Sequence, residues 1–108
     1  MKSIIYQRIY IVNKEELDIW NSNKDYVPCK FKFEMDIKMI IDDPRFVPHE
    51  GAEIESSLWH RDDNPQKVID VYRDRENYFV KLPHYCFYED TSFGKEFEKC
   101  INGHGWTL

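Results

Sequence analysis

The chain is poor in residues that break or staple structure. Its 108 residues include only 4 glycines and 5 prolines, which excludes a collagen-like or low-complexity chain. Its 3 cysteines, Cys29, Cys86 and Cys100, are an odd number and exclude a fully paired disulfide framework. They read instead as small hydrophobes. Long apolar runs are missing too. The longest are four residues, Ile9 to Val12 and Tyr85 to Tyr88, whereas a membrane span needs about 20. Before Arg8 there is no apolar h-region, and no small-residue cleavage site follows. Neither export nor membrane association is therefore expected, and the expected location is cytoplasmic. Catalytic signatures are equally scarce. There is no Gly-x-Ser-x-Gly, no glycine loop for phosphate and no cysteine at an obvious helix start. That weighs against an enzyme, and no cofactor is expected.

What is present describes a globule. Hydrophobic residues make up 42%, charged residues 32% and aromatics 16%. A chain of this length buries roughly two-thirds of its unfolded surface, enough for one domain without metal or disulfide. Aromatics raise the burial per residue. The net charge is −5 and is concentrated. Seven acids lie between Asp42 and Asp63: Asp42, Asp43, Glu50, Glu53, Glu55, Asp62 and Asp63. Only Arg45 and Arg61 oppose them, so the segment carries the whole excess. This excludes binding to a nucleic-acid backbone, which needs a basic surface.

Periodicity predicts the elements. Ile4 to Val12 is rich in β-branched and aromatic residues and predicts a strand. Asn13 is a good N-cap, Glu16 sits at the capping-box position, and a helix follows to about Asn21 with Leu17 and Trp20 on one face. From Cys29 to Ile41 the odd positions Cys29, Phe31, Phe33, Met35, Ile37, Met39 and Ile41 are apolar. The even ones are charged until Ile40. This predicts one long strand with its odd side inward, and a wet outer face that favours antiparallel pairing. Residues 42–65 hold three prolines and Gly51, and predict an irregular stretch, with a short strand or helical turn over Glu53 to His60. Lys67 to Tyr72 and Tyr78 to Leu82 predict a hairpin, and Tyr85 to Tyr88 an edge strand after Pro83. Phe93, Phe97, Cys100 and Ile101 form one helical stripe over Ser92 to Asn102, with Gly103 placed to end it. The expected fold is α+β: a single domain over residues 1–108, with a four- or five-stranded mainly antiparallel sheet and two short helices packed on one face.

Candidate chemistry is sparse. His84, Cys86, Cys100 and His104 supply two imidazoles and two sulfurs, a donor set suited to tetrahedral zinc. Cys100 also belongs to the helical stripe, and buried cysteines beside surface histidines explain the same residues. His49-Glu50 lacks the second histidine of a zincin helix, and Pro48 and Gly51 oppose a helix there. His60-Arg61-Asp62 begins like a kinase catalytic loop, but Lys67 stands where that loop has asparagine. A loop with a buried Trp59 and paired charges explains it. Phe31 and Phe33 suit base stacking by residue type, but their predicted side is the core side.

The charge pattern points to protein binding. A compact acidic patch steers a basic partner toward it. In size and charge the chain is similar to bacterial immunity proteins, which neutralise toxic nucleases, and to phage proteins that block host defences. The expectation is a small binding protein that inhibits or neutralises a partner with a basic surface. Asp42, Asp43, Glu50, Glu53, Glu55, Asp62 and Asp63 would contact it, and an exposed Phe46 or Trp59 would serve as apolar anchor. The alternatives are a small metal-binding protein or enzyme, and an assembly subunit joined through sheet edges. The expected state is a monomer or weak homodimer.

Overall fold

In the computed structural model, residues 2–56, 58–59 and 65–108 are described, apart from the side chains of residues 92 and 93. The β-branched N-terminal stretch forms β1 (Lys2–Val12), the centre of the main sheet. On one side β2 (Phe33–Ile41) runs antiparallel to it, with Arg8 opposite Asp36. The other side is lined by two short strands in succession. β6 (Asn77–Lys81) pairs with Lys2 to Tyr6, and β7 (Tyr85–Tyr88) with Ile9 to Val12. The hairpin partner of β6 is β5 (Asp70–Asp74), the last strand of the sheet. A separate ribbon joins β3 (Glu53–Ile54) to β4 (Gln66–Lys67).

The five-stranded sheet is mixed. The β1–β2 pair and the β5–β6 hairpin are antiparallel, as expected, but β6 and β7 join β1 in parallel. Alternation tells which side of a strand is wet; it does not tell which way a distant neighbour runs. The apolar run Ile9 to Val12 does carry a signal of cover on both faces, and all four residues are buried.

β1 and β2 share one inward side made of odd residues. Ile5, Ile9, Ile11 and Ile37 are fully buried there, and Met35, Met39 and Ile41 pack against the same core. The strand over 29–41 is shorter than expected, and its first aromatics are not inside. Phe31 is 43% and Phe33 46% exposed. For Phe31 the cause is a one-residue slip, while Phe33 keeps its register opposite Ile11. Lys32 donates its N–H to the Ile11 carbonyl at 2.7 Å, although Phe33 is the Cα partner of Ile11. Two residues therefore oppose one, as in a bulge. The slip turns Phe31 to the other face, where its ring lies 5.3 Å from that of Tyr10.

α1 (Lys14–Ser22) starts where expected, with Asn13 accepting the Glu16 N–H at 2.9 Å. Glu16 does not close the capping box; its carboxylate accepts the Tyr26 hydroxyl at 2.6 Å. Trp20 is buried edge-on against Tyr85. The single helix expected over 92–102 is broken at Glu96 into α2 (Ser92–Lys95) and α3 (Phe97–Asn102). Phe97 and Ile101 are buried, with Phe97 against Phe87. Gly103 ends α3 in a right-handed conformation. The left-handed residue is Gly105, φ 84°, which lets Trp106 turn back into the core and donate its N–H to Ile101.

Gly94 is required for a different reason. A Cβ there would overlap the Tyr88 carbonyl oxygen and lie 3.0 Å from the Glu89 Cα, both backbone. Gly94→Ala is therefore expected to cost about 2 kcal/mol, because rigid backbone must move apart. Urea unfolding measures this, and an unchanged midpoint would show that α2 can shift freely.

Candidate functional site

The acids of the central segment lie on the surface wherever they are described. Asp42, Glu50, Glu53 and Glu55 are exposed and Asp43 is half-exposed. The ribbon explains part of this. Ile54 is buried at 4% exposure, so the residues on either side of it, Glu53 and Glu55, turn outward together. Glu53 faces Lys67 across the ribbon. Among the described residues, no cation lies within ion-pair distance of Asp42, Glu50, Glu53 or Glu55. Asp43 differs. Arg45 donates to it from Nε and from its backbone N–H, which holds its carboxyl below the usual range. Asp62, Asp63 and the His60-Arg61-Asp62 triplet lie outside the described residues.

The expected anchors are not on this surface. Trp59 is 4% exposed; its Nε1 donates to Gln7 at 2.8 Å and its ring stands edge-to-face on Trp106. Its indole belongs to the core and is not offered to a partner. Phe46 is half-buried and also packs against the core. Among the described residues of this segment, the large apolar side chain that is exposed is Val47, at 67%. The stretch of acids and prolines over 42–65 does not reveal which of its aromatics the core takes, because the residues that cover Trp59 come from β1 and the C-terminus.

The zinc candidates do not converge. Among the described residues, no group of three or more His, Cys, Asp or Glu side chains is placed to hold a metal ion. His84 has its Nε2 2.6 Å from the Tyr26 carbonyl and its ring against Tyr10. Cys86 is buried, and desolvation pushes its thiol up to about 12, leaving it unreactive near neutral pH. Cys100 is half-buried on α3, and His104 follows that helix. His49 stands in a turn, its Nδ1 3.0 Å from the Glu50 carbonyl, with Gly51 at φ 81°.

The second notable surface is the outer face of the sheet, which the sequence did not single out. Register places Tyr72, Phe79, Ile4 and Ile40 side by side across β5, β6, β1 and β2. Tyr72 is 51% and Ile40 55% exposed, and the Tyr72 and Phe79 rings are stacked at 5.0 Å. The one legible sign was Ile40, the apolar residue interrupting an otherwise charged side. It marks an uncovered row of apolar side chains. Beside the row lies a groove of about 470 Å³ lined by Tyr6, Arg8, Tyr10, Lys81 and His84, among others. Arg8 is not free to bind there, because Asp36 at 2.5 Å and Glu34 at 3.1 Å hold it.

Among the described residues, no helix is long and apolar enough to cross a membrane. No protein-family model matches this chain, and no curated protein and no solved structure matches it.

Proposed function

We propose that the chain is a small binding domain that associates with another protein through a basic surface on that protein, and so blocks what that surface does. The observation that carries the reading is the set of exposed carboxylates, Asp42, Glu50, Glu53 and Glu55, without cationic partners among the described residues. Exposed carboxylates gathered in one segment make a field that attracts a basic partner and raises its rate of encounter. Val47, in the same segment, supplies exposed apolar area.

The test is partner capture by the intact protein at low salt and at about 0.5 M salt, where the screening length falls to about 4 Å. A basic protein is expected to be retained at low salt and lost at high salt. The variant Glu50→Lys, Glu53→Lys, Glu55→Lys is expected to capture none of it, with its unfolding midpoint nearly unchanged, because exposed charges contribute little to stability. Capture that ignores both salt and charge reversal overturns the reading.

A further inference from the structure

We propose that the free edge of β5 takes up an extended segment of a partner as an added strand, with basic residues on either side of an apolar one. The argument starts from the hairpin. Arg75 and Glu76 form a two-residue turn between Asp74 and Asn77, with Arg75 at φ 54°. The pair flanking such a turn is hydrogen-bonded, and the pattern alternates from there. Asp74, Tyr72 and Asp70 thus direct their backbone groups toward β6. Val71 and Arg73 direct theirs outward, where the sheet ends, and no described residue pairs with them. An open row of N–H and C=O groups is a template for another strand.

The side chains state what that strand carries. On the outer face β5 presents Asp70, Tyr72 and Asp74 in alternation, all exposed. Tyr72 ends the apolar row that crosses the sheet through Phe79, Ile4 and Ile40. An added antiparallel strand places one residue opposite Tyr72 in a non-hydrogen-bonded pair, where side chains come closest. An apolar residue there extends the row. The residues two before and two after it face Asp74 and Asp70, where arginine or lysine completes opposite-charge pairs. The neighbouring Tyr6 phenol has its pKa raised by burial and then by the fields of Tyr72, Asp70 and Asp36. Lys81 stands opposite Asp70 within the sheet, while Asp74 faces the uncharged Asn77. A second copy of the chain fits poorly. The symmetric pairing that uses both Val71 and Arg73 sets Asp70 against Asp74 of the copy, and like charges directly opposite are destabilising. The proposal rests on the reading of a basic partner but not on the 42–55 segment.

The probe is a capped peptide with valine at its centre, threonine on either side of it and an arginine at each end, so that arginine, valine and arginine share one face; it is added to the intact ¹⁵N-labelled protein. Its controls are the same peptide with glutamate at both ends and wild-type protein alone over a concentration series. The arginine peptide is expected to slow hydrogen exchange at the Val71 and Arg73 amides, and the glutamate peptide to leave them unchanged. Asp70→Lys with Asp74→Lys is expected to weaken arginine-peptide binding about tenfold. Arg73→Pro removes an outward donor that no ladder bond uses, and is expected to abolish protection at Val71 while tryptophan fluorescence confirms the fold. Equal binding of both peptides, unaltered Val71 and Arg73 exchange, or β5 pairing between copies without peptide would overturn the proposal. The variant Glu50→Gln, Glu53→Gln, Glu55→Gln separates the two readings. Peptide protection of β5 should survive in it; loss there, with none in the Asp70/Asp74 variant, leaves the acidic segment as the binding surface and refutes the edge.

Discussion

Trp106→Ala is expected to destabilise the protein by about 3–5 kcal/mol, the range for removing a large aromatic from a core that cannot collapse around the space. Trp106 is fully buried, two residues from the chain end. Its ring stands 5.7 Å from that of Trp59 at an angle of 66°, a favoured edge-to-face contact, and its Nε1 donates to the Ser56 hydroxyl at 2.9 Å. Its backbone also matters. Trp106 N–H returns to Ile101, and the next residue, Thr107, exchanges both backbone bonds with Lys38 on the outer side of β2. The indole thus holds the C-terminus against the sheet and the segment around Ser56 beneath it. Trp106→Phe keeps the ring and loses the donor, so about 1–3 kcal/mol of the loss should remain. Urea unfolding of the two variants, with near-ultraviolet circular dichroism to follow the tryptophan pair, measures the difference. Equal midpoints for Trp106→Ala and wild type would mean that the C-terminus does not pack as described.

Gln7→Leu is expected to cost about 2–5 kcal/mol, although it replaces a polar residue in the core by an apolar one of similar size. Gln7 is fully buried. Its Nε2 donates to the Pro83 carbonyl at 2.8 Å, and its Oε1 accepts the Trp59 Nε1–H at 2.8 Å. The need for it lies in the backbone. Between the pairs Tyr6–Lys81 and Ile9–Tyr85, β1 advances by Gln7 and Arg8 while the link from β6 to β7 advances by Leu82, Pro83 and His84. The extra residue interrupts the ladder, and Pro83 has no N–H to offer. The Gln7 side chain satisfies the carbonyl this leaves and fixes Trp59 over the break. Leucine would fill the volume but abandon the buried Trp59 N–H and the part-buried Pro83 carbonyl, each costing about 1–3 kcal/mol. A Gln7→Leu protein with wild-type stability would show that water reaches both groups.

The two predictions mark where local pattern stops being informative. β1, the Asn13 cap, the β5–β6 hairpin and the even-numbered charged side of β2 are legible because each depends on neighbours within a few residues. Gln7 is not: in the sequence it is one polar residue in an apolar strand, and its meaning comes from Pro83 and Trp59, both more than fifty positions away. Nor is Gly94, whose necessity comes from the Tyr88 carbonyl beneath it. The acidic candidates were visible as composition. Their anchors were not, since Phe46 and Trp59 are drawn to a core assembled by distant strands.

By itself the sequence determined β1, α1 and most of β2, β6 and β7, which side of β1 and of most of β2 turns inward, and that negative charge gathers after β2. Those follow from side-chain periodicity, capping chemistry and charge, which act over one or two turns of chain. It did not show that the strand expected over Lys67 to Tyr72 is divided between β4 and β5, or that the last helix breaks at Glu96. Only the tertiary structure decided that β6 and β7 lie parallel to β1, that a single slipped residue puts Phe31 with Tyr10, and that Tyr72, Phe79, Ile4 and Ile40 form one row ending at an open strand. The reason is that a row across a sheet is set by the register between strands, and register depends on contacts that no local stretch of residues contains.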